Sequence, residues 1–307
     1  MRFVIVLLAA LATLSQGAAA KVPGPLVNAD WLAANLGKVI VLDVRENTAT
    51  FTREGHVPGS IVLAWRSLRA RRVENGVTLD HMLPDAATFT ALMQKAGVDA
   101  DSTIVIASRG LSPEDIFMAT RLFWQLRYYG HDDLAVLDGG VTGWIAAGRK
   151  LSKSRIARKR VGTWRNKGER RHLLANTEDI VRAVKTRSHV LTDARPMDNY
   201  LGLRHPPGQT SGPGHIPGAK YADSTLFLRP VRPPYFRSRS ELAQLISGLS
   251  LKQDRPLITY CNTGDWASGA WFVLHELLGI KDVALYDGSW HAWTKDKSRP
   301  RARYKLE

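Results

Sequence analysis

Four short patterns occur twice, in the same order, along this chain of 307 residues. They are an apolar strand that ends in Asp-x-Arg, a Gly-His-x-Pro-Gly turn, a second apolar strand, and a third strand followed by Asp-Gly. Such an internal repeat predicts two copies of one folding unit. The paired ranges are 39–45 with 189–195, 55–60 with 214–219, 103–108 with 256–261, and 136–140 with 285–289, at offsets of 150, 159, 153 and 149 residues.

Within each half, apolar strands alternate with stretches of helical periodicity. This alternation indicates βα units, which build a mostly parallel sheet with helices on both faces. We therefore predict an α/β fold of two homologous domains, residues 28–148 and 173–300. Ligands bind such sheets at the carboxyl ends of the strands. The predicted helices are 30–36, 85–95, 177–185 and 241–245.

The first 20 residues have the three parts of a secretory signal peptide: a charged start at Arg2, an apolar run over residues 3–14, and a small-residue end. The apolar run is too short to span a bilayer, and no later stretch reaches the ~20 apolar residues of a transmembrane helix. We therefore expect residues 1–20 to be removed and the protein to be exported to a bacterial periplasm, with no transmembrane segment.

Positive charge is concentrated between the two repeats. Residues 149–172 contain eleven Lys or Arg and one acid, a net +10, whereas the whole chain carries +15. The segment lacks the interleaved aromatic residues of a nucleic-acid-binding face, so we expect no nucleic-acid partner. Two interpretations stay open: a solvated basic linker between the domains, and a contact for an anionic partner or a membrane surface.

Cys261 is the only cysteine, and it stands where the apolar strand 257–260 meets a helical pattern that runs to Gly279. A chain with one cysteine has no intramolecular disulfide and no cysteine-based metal cluster, and we expect no metal and no cofactor. Backbone N–H groups at a helix start favour an anion. The position therefore predicts a reactive thiolate at Cys261 rather than an inert buried thiol.

Three motifs give the chain a resemblance to the tandem rhodanese-type sulfurtransferases, over residues 28–293. Residues 193–195 and 214–219, Asp-Ala-Arg and Gly-His-Ile-Pro-Gly-Ala, look like the first family signature. Residues 260–264, Tyr-Cys-Asn-Thr-Gly, resemble the Cys-x-x-Gly active-site loop, and residues 286–290 resemble the strand and turn that close the domain. Each motif is short, but all of them occur in order and twice, which makes the resemblance specific.

The resemblance implies two domains, of which the second is active. It implies that Cys261 takes sulfane sulfur from thiosulfate or 3-mercaptopyruvate, holds it as a persulfide, and passes it to a thiol or cyanide. Ser108 occupies the equivalent position in the first half, which is therefore expected to be catalytically silent, since a serine hydroxyl cannot take up sulfane sulfur. Backbone N–H groups of residues 262–267 are expected to stabilise the sulfur anion, in a tight turn that Gly264 permits.

The side chains of the loop receive supporting roles. Thr263 is expected to donate a hydrogen bond, Trp266 to form a wall of the pocket, and Asp265 to take an N-cap or first-turn role at the helix start. The orientation of the Asp265 carboxylate stays open, because a carboxylate beside the sulfur raises the pKa of the thiol unless it points away. The candidate active-site loop consists of Asn262, Thr263, Gly264, Asp265 and Trp266.

Donor choice is where the sequence departs from the family pattern. Asp265 puts an acid in a loop that is basic in the thiosulfate enzymes, and Asn199 replaces an arginine that many relatives use near the donor. Arg204 and His291 are the candidate substrate-binding residues. We therefore expect thiosulfate to be a slow donor with a high KM unless Arg204 reaches the pocket.

Polar residues that recur in both halves are interpreted as structural, since one half has no nucleophile. These residues are the ion pairs Asp43–Arg45 and Asp193–Arg195 and the turn residues His56 and His215.

Two other functions stay open: a non-catalytic rhodanese-like module that delivers sulfur or docks on a partner, and a cysteine phosphatase. The phosphatase needs an arginine about six residues after the cysteine, where this chain has Ala267.

Overall fold

The computed structural model describes residues 20–154, 160–206, 208, 210–251 and 254–304. Residues 1–19, which hold nearly all of the expected signal peptide, lie outside the described residues, and so do residues 155–159 of the basic segment. Within the described ranges, no helix combines the length and the apolar character needed to cross a membrane.

The first unit alternates strands and helices. Its strands are β1 (Leu26–Val27), β2 (Ile40–Arg45), β3 (Ile61–Ala64), β4 (Ala70–Glu74), β5 (Val77–Met82), β6 (Ile104–Ser108) and β7 (Leu134–Leu137). Its helices are α1 (Ala29–Asn35), α2 (Thr50–Glu54), α3 (Ala86–Lys95), α4 (Pro113–Tyr128) and α5 (Gly140–Ala146).

The second unit follows the same order without a counterpart of β4 and β5. Its strands are β8 (Leu174–Ala175), β9 (Val190–Asp193), β10 (Lys220–Tyr221), β11 (Leu257–Tyr260) and β12 (Val283–Tyr286). Its helices are α6 (Thr177–Thr186), α7 (Met197–Leu201), α8 (Arg239–Gly248), α9 (Asp265–Trp271) and α10 (Ser289–Lys295).

Each unit is built on a five-stranded parallel sheet. The strand order is β1-β7-β6-β2-β3 in the first unit and β8-β12-β11-β9-β10 in the second. When their strands are matched in chain order, the two sheets have the same topology, so β6 of the first unit corresponds to β11 of the second. This arrangement confirms the predicted α/β fold of two homologous domains.

Side-chain caps define where several helices begin. Asn28 and Asp85 accept backbone N–H groups at the starts of α1 and α3, and Asn176 and Ser238 open reciprocal capping boxes at α6 and α8. Each cap satisfies backbone donors that the first helical turn leaves without a partner. The predicted starts of these four helices lie within two residues of the observed ones.

The β4–β5 hairpin reaches across from the first unit to the second. Its turn residue Asn75 donates to Glu178 at 3.0 Å, and the N–H of Leu83, directly after β5, donates to Asp287 at 2.6 Å. Helices α4 and α9 also pack together, with the hydroxyl groups of Thr120 and Ser268 at 2.8 Å. The first unit therefore covers the edge of the second sheet where β11 and β12 end.

The basic segment is partly packed on the first unit. Trp164 is 1% exposed and lies edge-on against Phe89, at 5.4 Å between ring centroids. Arg170 forms an ion pair with Asp132 at 2.6 Å. Within the described residues 160–172, the segment is therefore anchored on the first unit through Trp164, while most of its residues are exposed.

Candidate active site

Cys261 lies at the carboxyl end of β11, where the chain turns sharply into α9. Its side chain is 2% exposed. The N–H of Gly264 donates to Sγ at 3.0 Å, and backbone N–H groups of Thr263 and Ala267 also stabilise a charge on the sulfur. Gly264 has φ +91°, a left-handed conformation that side chains disfavour. The loop therefore surrounds the sulfur with backbone donors.

Residues after β12 hold this loop in place. Ser289 Oγ accepts the N–H of Cys261 at 3.1 Å. The N–H groups of Trp290 and His291 donate to the carbonyl oxygens of Cys261 and Asn262, both at 2.9 Å. The position of the sulfur is therefore set jointly by the turn after β11 and the start of α10.

Asp265 is directed toward the sulfur, which decides the orientation that the sequence left open. Its Oδ1 lies 3.6 Å from Cys261 Sγ and accepts a hydrogen bond from Thr263 Oγ1 at 3.0 Å. Thr263 thus donates its hydroxyl hydrogen bond to the carboxylate. Asp265 is the first residue of α9 and makes no cap, because the N-cap position belongs to Gly264.

The protonation state of Cys261 differs from the expected thiolate. Burial, and then the charge of Asp265, raises the pKa of Cys261 to about 11, and the backbone N–H groups only partly offset this. With this pKa we expect a resting thiol at neutral pH rather than the thiolate that the position of Cys261 predicts. Asp265 accepts a hydrogen bond from that thiol at 3.6 Å, which places a proton acceptor beside the sulfur.

Two arginines of the first unit lie at the Cys261 loop. Arg69, directly before β4, donates through Nη2 to the carbonyl oxygen of Thr263. Arg121 of α4 donates to the carbonyl oxygen of Gly264 at 3.3 Å and pairs with Asp287. The site of the second unit therefore contains positive charge that its own loop lacks.

Neighbouring charges in this site set the ionisation of Arg69 and Asp265. Burial, followed by the neighbouring charge of Arg121, lowers the pKa of Arg69 to about 10, so the guanidinium stays charged at neutral pH. Burial raises the pKa of Asp265, but Arg69 and the other donors outweigh it and hold that pKa below its usual value. The thiol therefore lies beside a carboxylate that stays ionised.

A model of the rhodanese-like domain matches residues 28–147 and residues 176–296, one match for each sheet. The chain belongs to the tandem-domain rhodanese-like sulfurtransferases. Both copies of the family domain are present, and the Cys261 loop lies in the second.

Two relatives are similar to this rhodanese-like chain over most of its length. A Mycolicibacterium smegmatis protein named "Putative thiosulfate sulfurtransferase" is 30% identical over 272 residues, 86% of this chain and 92% of the relative. The sulfur carrier protein TtuD of Thermus thermophilus is 30% identical over 282 residues, 88% of this chain and 94% of TtuD. One relative is thus named as an enzyme and the other as a carrier.

Solved structures show the same fold. SseA from Escherichia coli, described with the 3-mercaptopyruvate sulfotransferases, has a TM-score of 0.74 at 26% identity and covers 87% of this chain and 99% of SseA. The anaerobic ergothioneine biosynthesis enzyme from Chlorobium limicola has a TM-score of 0.79 at 21% identity and covers 92% of this chain and 71% of that enzyme. The second likeness is one of fold alone.

The expected structural ion pairs occur in both rhodanese-like domains. Arg45 contacts Asp43 at 2.8 Å and Arg195 contacts Asp193 at 2.6 Å, in both cases with buried side chains. Arg195 also donates to Asn262 Oδ1 at 3.3 Å. The structural interpretation is confirmed, and in the second domain the same pair also supports the active-site loop.

The paired histidines take equivalent places in the two rhodanese-like domains. Nδ1 of His56 lies 3.0 Å from the carbonyl oxygen of Phe51, and Nδ1 of His215 lies 2.6 Å from that of Tyr200. The His56 ring stacks on Phe51 and the His215 ring stacks on Tyr200, which confirms their role in the turns.

Among the described residues, no group of three or more His, Cys, Asp or Glu side chains could hold a metal ion.

Trp266 and His291 lie at the boundary between the rhodanese-like domains. The Trp266 ring packs against Phe117 of α4, at 5.6 Å between centroids. His291 is buried, and its Nε2 accepts the N–H of Asp80 from the hairpin at 3.4 Å. Both residues therefore line the region where the first domain covers the loop.

Arg204 is not brought to the sulfur. Its side chain is 75% exposed and lies 3.6 Å from the carboxylate of Asp198, and no hydrogen bond joins it to the loop within the part of the chain that the structure describes. Asn199 is buried and accepts from Asn262 Nδ2 at 3.4 Å. Asn199 thus supplies an uncharged amide beside the loop.

Arg69 and Arg121 are residues of this site that the sequence does not predict, because the repeat gives the first domain a scaffold role. For Arg69, one signal is present in the sequence. Residues 66–72 contain four arginines directly after a predicted short strand, whereas residues 225–231 of the second half contain only Arg229. This cluster of arginines occurs in only one of the two halves, so the shared fold does not require it. Its place at the carboxyl end of a strand indicates a different role.

Proposed function

We propose that the protein moves sulfane sulfur from a small anionic donor to a thiol or cyanide through a persulfide on Cys261. The observation that carries the proposal is the lone thiol held at 3.0 Å by the N–H of Gly264 inside a turn of backbone donors. Such donors also stabilise the negative terminal sulfur of a persulfide. The names of the two relatives, a thiosulfate sulfurtransferase and a sulfur carrier, agree with this chemistry.

In the first half-reaction, Cys261 Sγ forms a bond to the outer sulfur of the donor. The S–S bond of thiosulfate, or the C–S bond of 3-mercaptopyruvate in its thiolate form, breaks, and its electron pair leaves with the sulfite or with the enolate of pyruvate. The thiol proton passes to Asp265, 3.6 Å from Sγ, and from there to the leaving group. The products are Cys–S–S⁻ and hydrogen sulfite or pyruvate, and Asp265 ends as it began.

In the second half-reaction, cyanide or a thiolate attacks the outer sulfur of the persulfide. The S–S bond breaks, its electron pair returns to Cys261 Sγ, and the acceptor leaves as thiocyanate or as a new persulfide. The Gly264 N–H, which already points at Sγ, stabilises the departing thiolate. Because the pKa of Cys261 is raised to about 11, the thiolate then takes up a proton and restores the resting thiol.

A carrier that receives and delivers sulfur without turning over small donors is the second candidate function. It is favoured by the 2% exposure of Cys261, which restricts access to the sulfur, and by the 30% identity to TtuD. We do not propose a phosphatase, since buried Ala267 stands where that chemistry needs an arginine.

The test is mass spectrometry of the protein after incubation with thiosulfate or 3-mercaptopyruvate. We expect a gain of one sulfur, about 32 Da, that a thiol removes. Cys261→Ser should gain nothing while keeping its circular dichroism spectrum. Steady thiocyanate production separates the enzyme from the carrier. A wild-type protein that gains no sulfur from either donor contradicts the persulfide proposal.

We also propose export to the periplasm, supported by the signal-peptide pattern of residues 1–20 alone. Fractionation of bacterial cells that express the full chain, and of cells that express it without residues 2–20, tests this. Equal distribution of the two proteins would contradict export.

A further inference from the structure

Arg69 reaches the active site from the catalytically silent domain. It follows a short helical turn, Trp65–Leu68, at the end of β3 and lies directly before the β4–β5 hairpin. Its guanidinium stacks on the Trp65 ring at 4.8 Å from the centroid, and Nη2 donates to the carbonyl oxygen of Thr263. These contacts hold the guanidinium in one orientation at the carbonyl oxygen of Thr263, which is two residues after Cys261 in the sequence.

The other nitrogens of Arg69 have no acceptor. Nε and Nη1 are buried and lack a hydrogen-bond partner in the described part of the chain. Buried guanidinium N–H groups are normally satisfied, because leaving a charged donor unpaired costs more than leaving a neutral one. Three N–H bonds of this cation thus lie unused at the Cys261 loop. Such a set of donors complements an oxyanion with several acceptor oxygens.

Arg121 offers fewer unused donors than Arg69. Its Nη1 and Nη2 are engaged by the carbonyl oxygen of Gly264 and by Asp287, and only its buried Nε has no acceptor among the described residues. Residues 262–267 of the loop include no Lys, Arg or His. Arg204 is on the surface. Among the described residues, no ion pair joins Arg69 to a carboxylate, although the charges of Asp265 and Asp287 both favour its charged form.

We infer that Arg69 binds the oxyanion of the sulfur donor, a sulfonate or a carboxylate, and orients its outer sulfur toward Cys261. The inference rests on the proposed sulfur transfer for the identity of the ligand. It gives the silent domain a part in donor recognition. It also explains how a loop with Asp265 in place of basic residues could accept an anion at all.

Two small alkylating reagents test the inference without any sulfur transfer. Iodoacetate carries a carboxylate, and iodoacetamide is its neutral isostere. Each reacts with Cys261 by forming an Sγ–C bond and breaking the C–I bond, with iodide leaving and the thiol proton going to solvent. Because Cys261 is the only thiol, the ratio of the two rates reports attraction of a carboxylate to this one site. The same ratio in urea supplies the reference for an exposed thiol.

We expect the ratio of the iodoacetate rate to the iodoacetamide rate to be higher in the folded protein than in urea, and to fall at least about tenfold in Arg69→Gln, the size expected for losing a charged hydrogen bond. Arg69→Lys, which keeps the charge without the planar donors, should retain part of the wild-type rate ratio. Arg66→Gln is the matched control, because Arg66 is exposed three residues earlier and should leave the ratio unchanged.

Three outcomes overturn the inference. A folded wild-type ratio no higher than the ratio in urea does so even if Arg69→Gln fails to fold. An equal loss of both rates in Arg69→Gln leaves the ratio unchanged and shows that Arg69 only shapes the loop. Two unchanged rates in Arg69→Gln show that the anion binds elsewhere.

The transfer assay is kept separate from the alkylation assay. If wild-type protein gains sulfur, the KM for thiosulfate should rise at least about tenfold in Arg69→Gln, and an unchanged KM contradicts the inference. If wild-type protein gains no sulfur, the proposed function fails, while the alkylation ratio still decides whether Arg69 binds an oxyanion.

Discussion

Arg121 in α4 of the first domain and Asp287 after β12 of the second domain form an ion pair that is buried between the two domains. Asp287 also accepts the N–H of Leu83 at 2.6 Å, and Arg121 also donates to the carbonyl oxygen of Gly264 at 3.3 Å. One pair therefore connects α4, the end of the β4–β5 hairpin and the Cys261 loop. The domain without a nucleophile shapes the site of the domain that has one.

Removing Arg121 should destabilise the protein strongly. Arg121→Met leaves the Asp287 carboxylate buried and without its cation, which typically costs about 3–5 kcal/mol of the free energy of unfolding. The measurement is the urea midpoint at neutral pH. The double variant Arg121→Met/Asp287→Asn is the control, because it removes both charges and should recover most of the loss. A double variant as unstable as the sum of the two single variants would contradict this account.

The reactivity of Cys261 should depend on Asp265. Wild-type alkylation by iodoacetamide should rise with pH through about 11, the raised pKa of the thiol. In Asp265→Asn the carboxylate charge is gone while burial remains, so the midpoint should fall between about 9 and about 11. Because folding raises this pKa, the thiol stabilises the fold below pH 9 and loses that contribution as the pH approaches 11. An unchanged midpoint would show that Asp265 does not interact with the sulfur.

Donor choice should also follow Asp265. Its charge, close to the reacting sulfur, penalises the dianion thiosulfate about twice as much as the monocarboxylate 3-mercaptopyruvate. Asp265→Asn should therefore lower the KM for thiosulfate several-fold and lower the KM for 3-mercaptopyruvate less. The ratio of the two constants, measured at low and moderate salt, is the readout. If that ratio stays the same in both proteins, Asp265 does not set donor choice.

The basic segment should not take part in sulfur transfer. Arg160 pairs with Asp99 on the surface of the first domain, and residues 158 and 159 lie outside the described residues. Replacing Arg158, Lys159 and Arg160 with glutamine should leave sulfur loading nearly unchanged, because the segment packs on the first domain through Trp164. A large loss of rate would place this segment on the path of the donor. Weaker binding to anionic lipid vesicles would support the alternative of a membrane contact.

Much of the fold could be predicted because the information is local and repeated. Strands β6 and β11, the capped helix starts and the Gly-His-x-Pro-Gly turns each follow from a few adjacent residues. Gly279, with φ +80°, ends the helix after Cys261 as its pattern indicates. The π-helical segment Phe272–Leu277 was not predicted, since apolar spacing does not distinguish an α-turn from a wider one.

The sequence by itself determined that the chain is two α/β halves and that only the second holds a thiol at the end of a strand, because strand, turn and helix patterns are written in neighbouring residues. Only the tertiary structure decided the chemistry around that thiol. Burial and the direction of the Asp265 carboxylate make Cys261 a thiol, and the hairpin brings Arg69 to a carbonyl oxygen 194 residues away along the chain. Charge and solvent exclusion depend on distance in space, and sequence patterns record only distance along the chain.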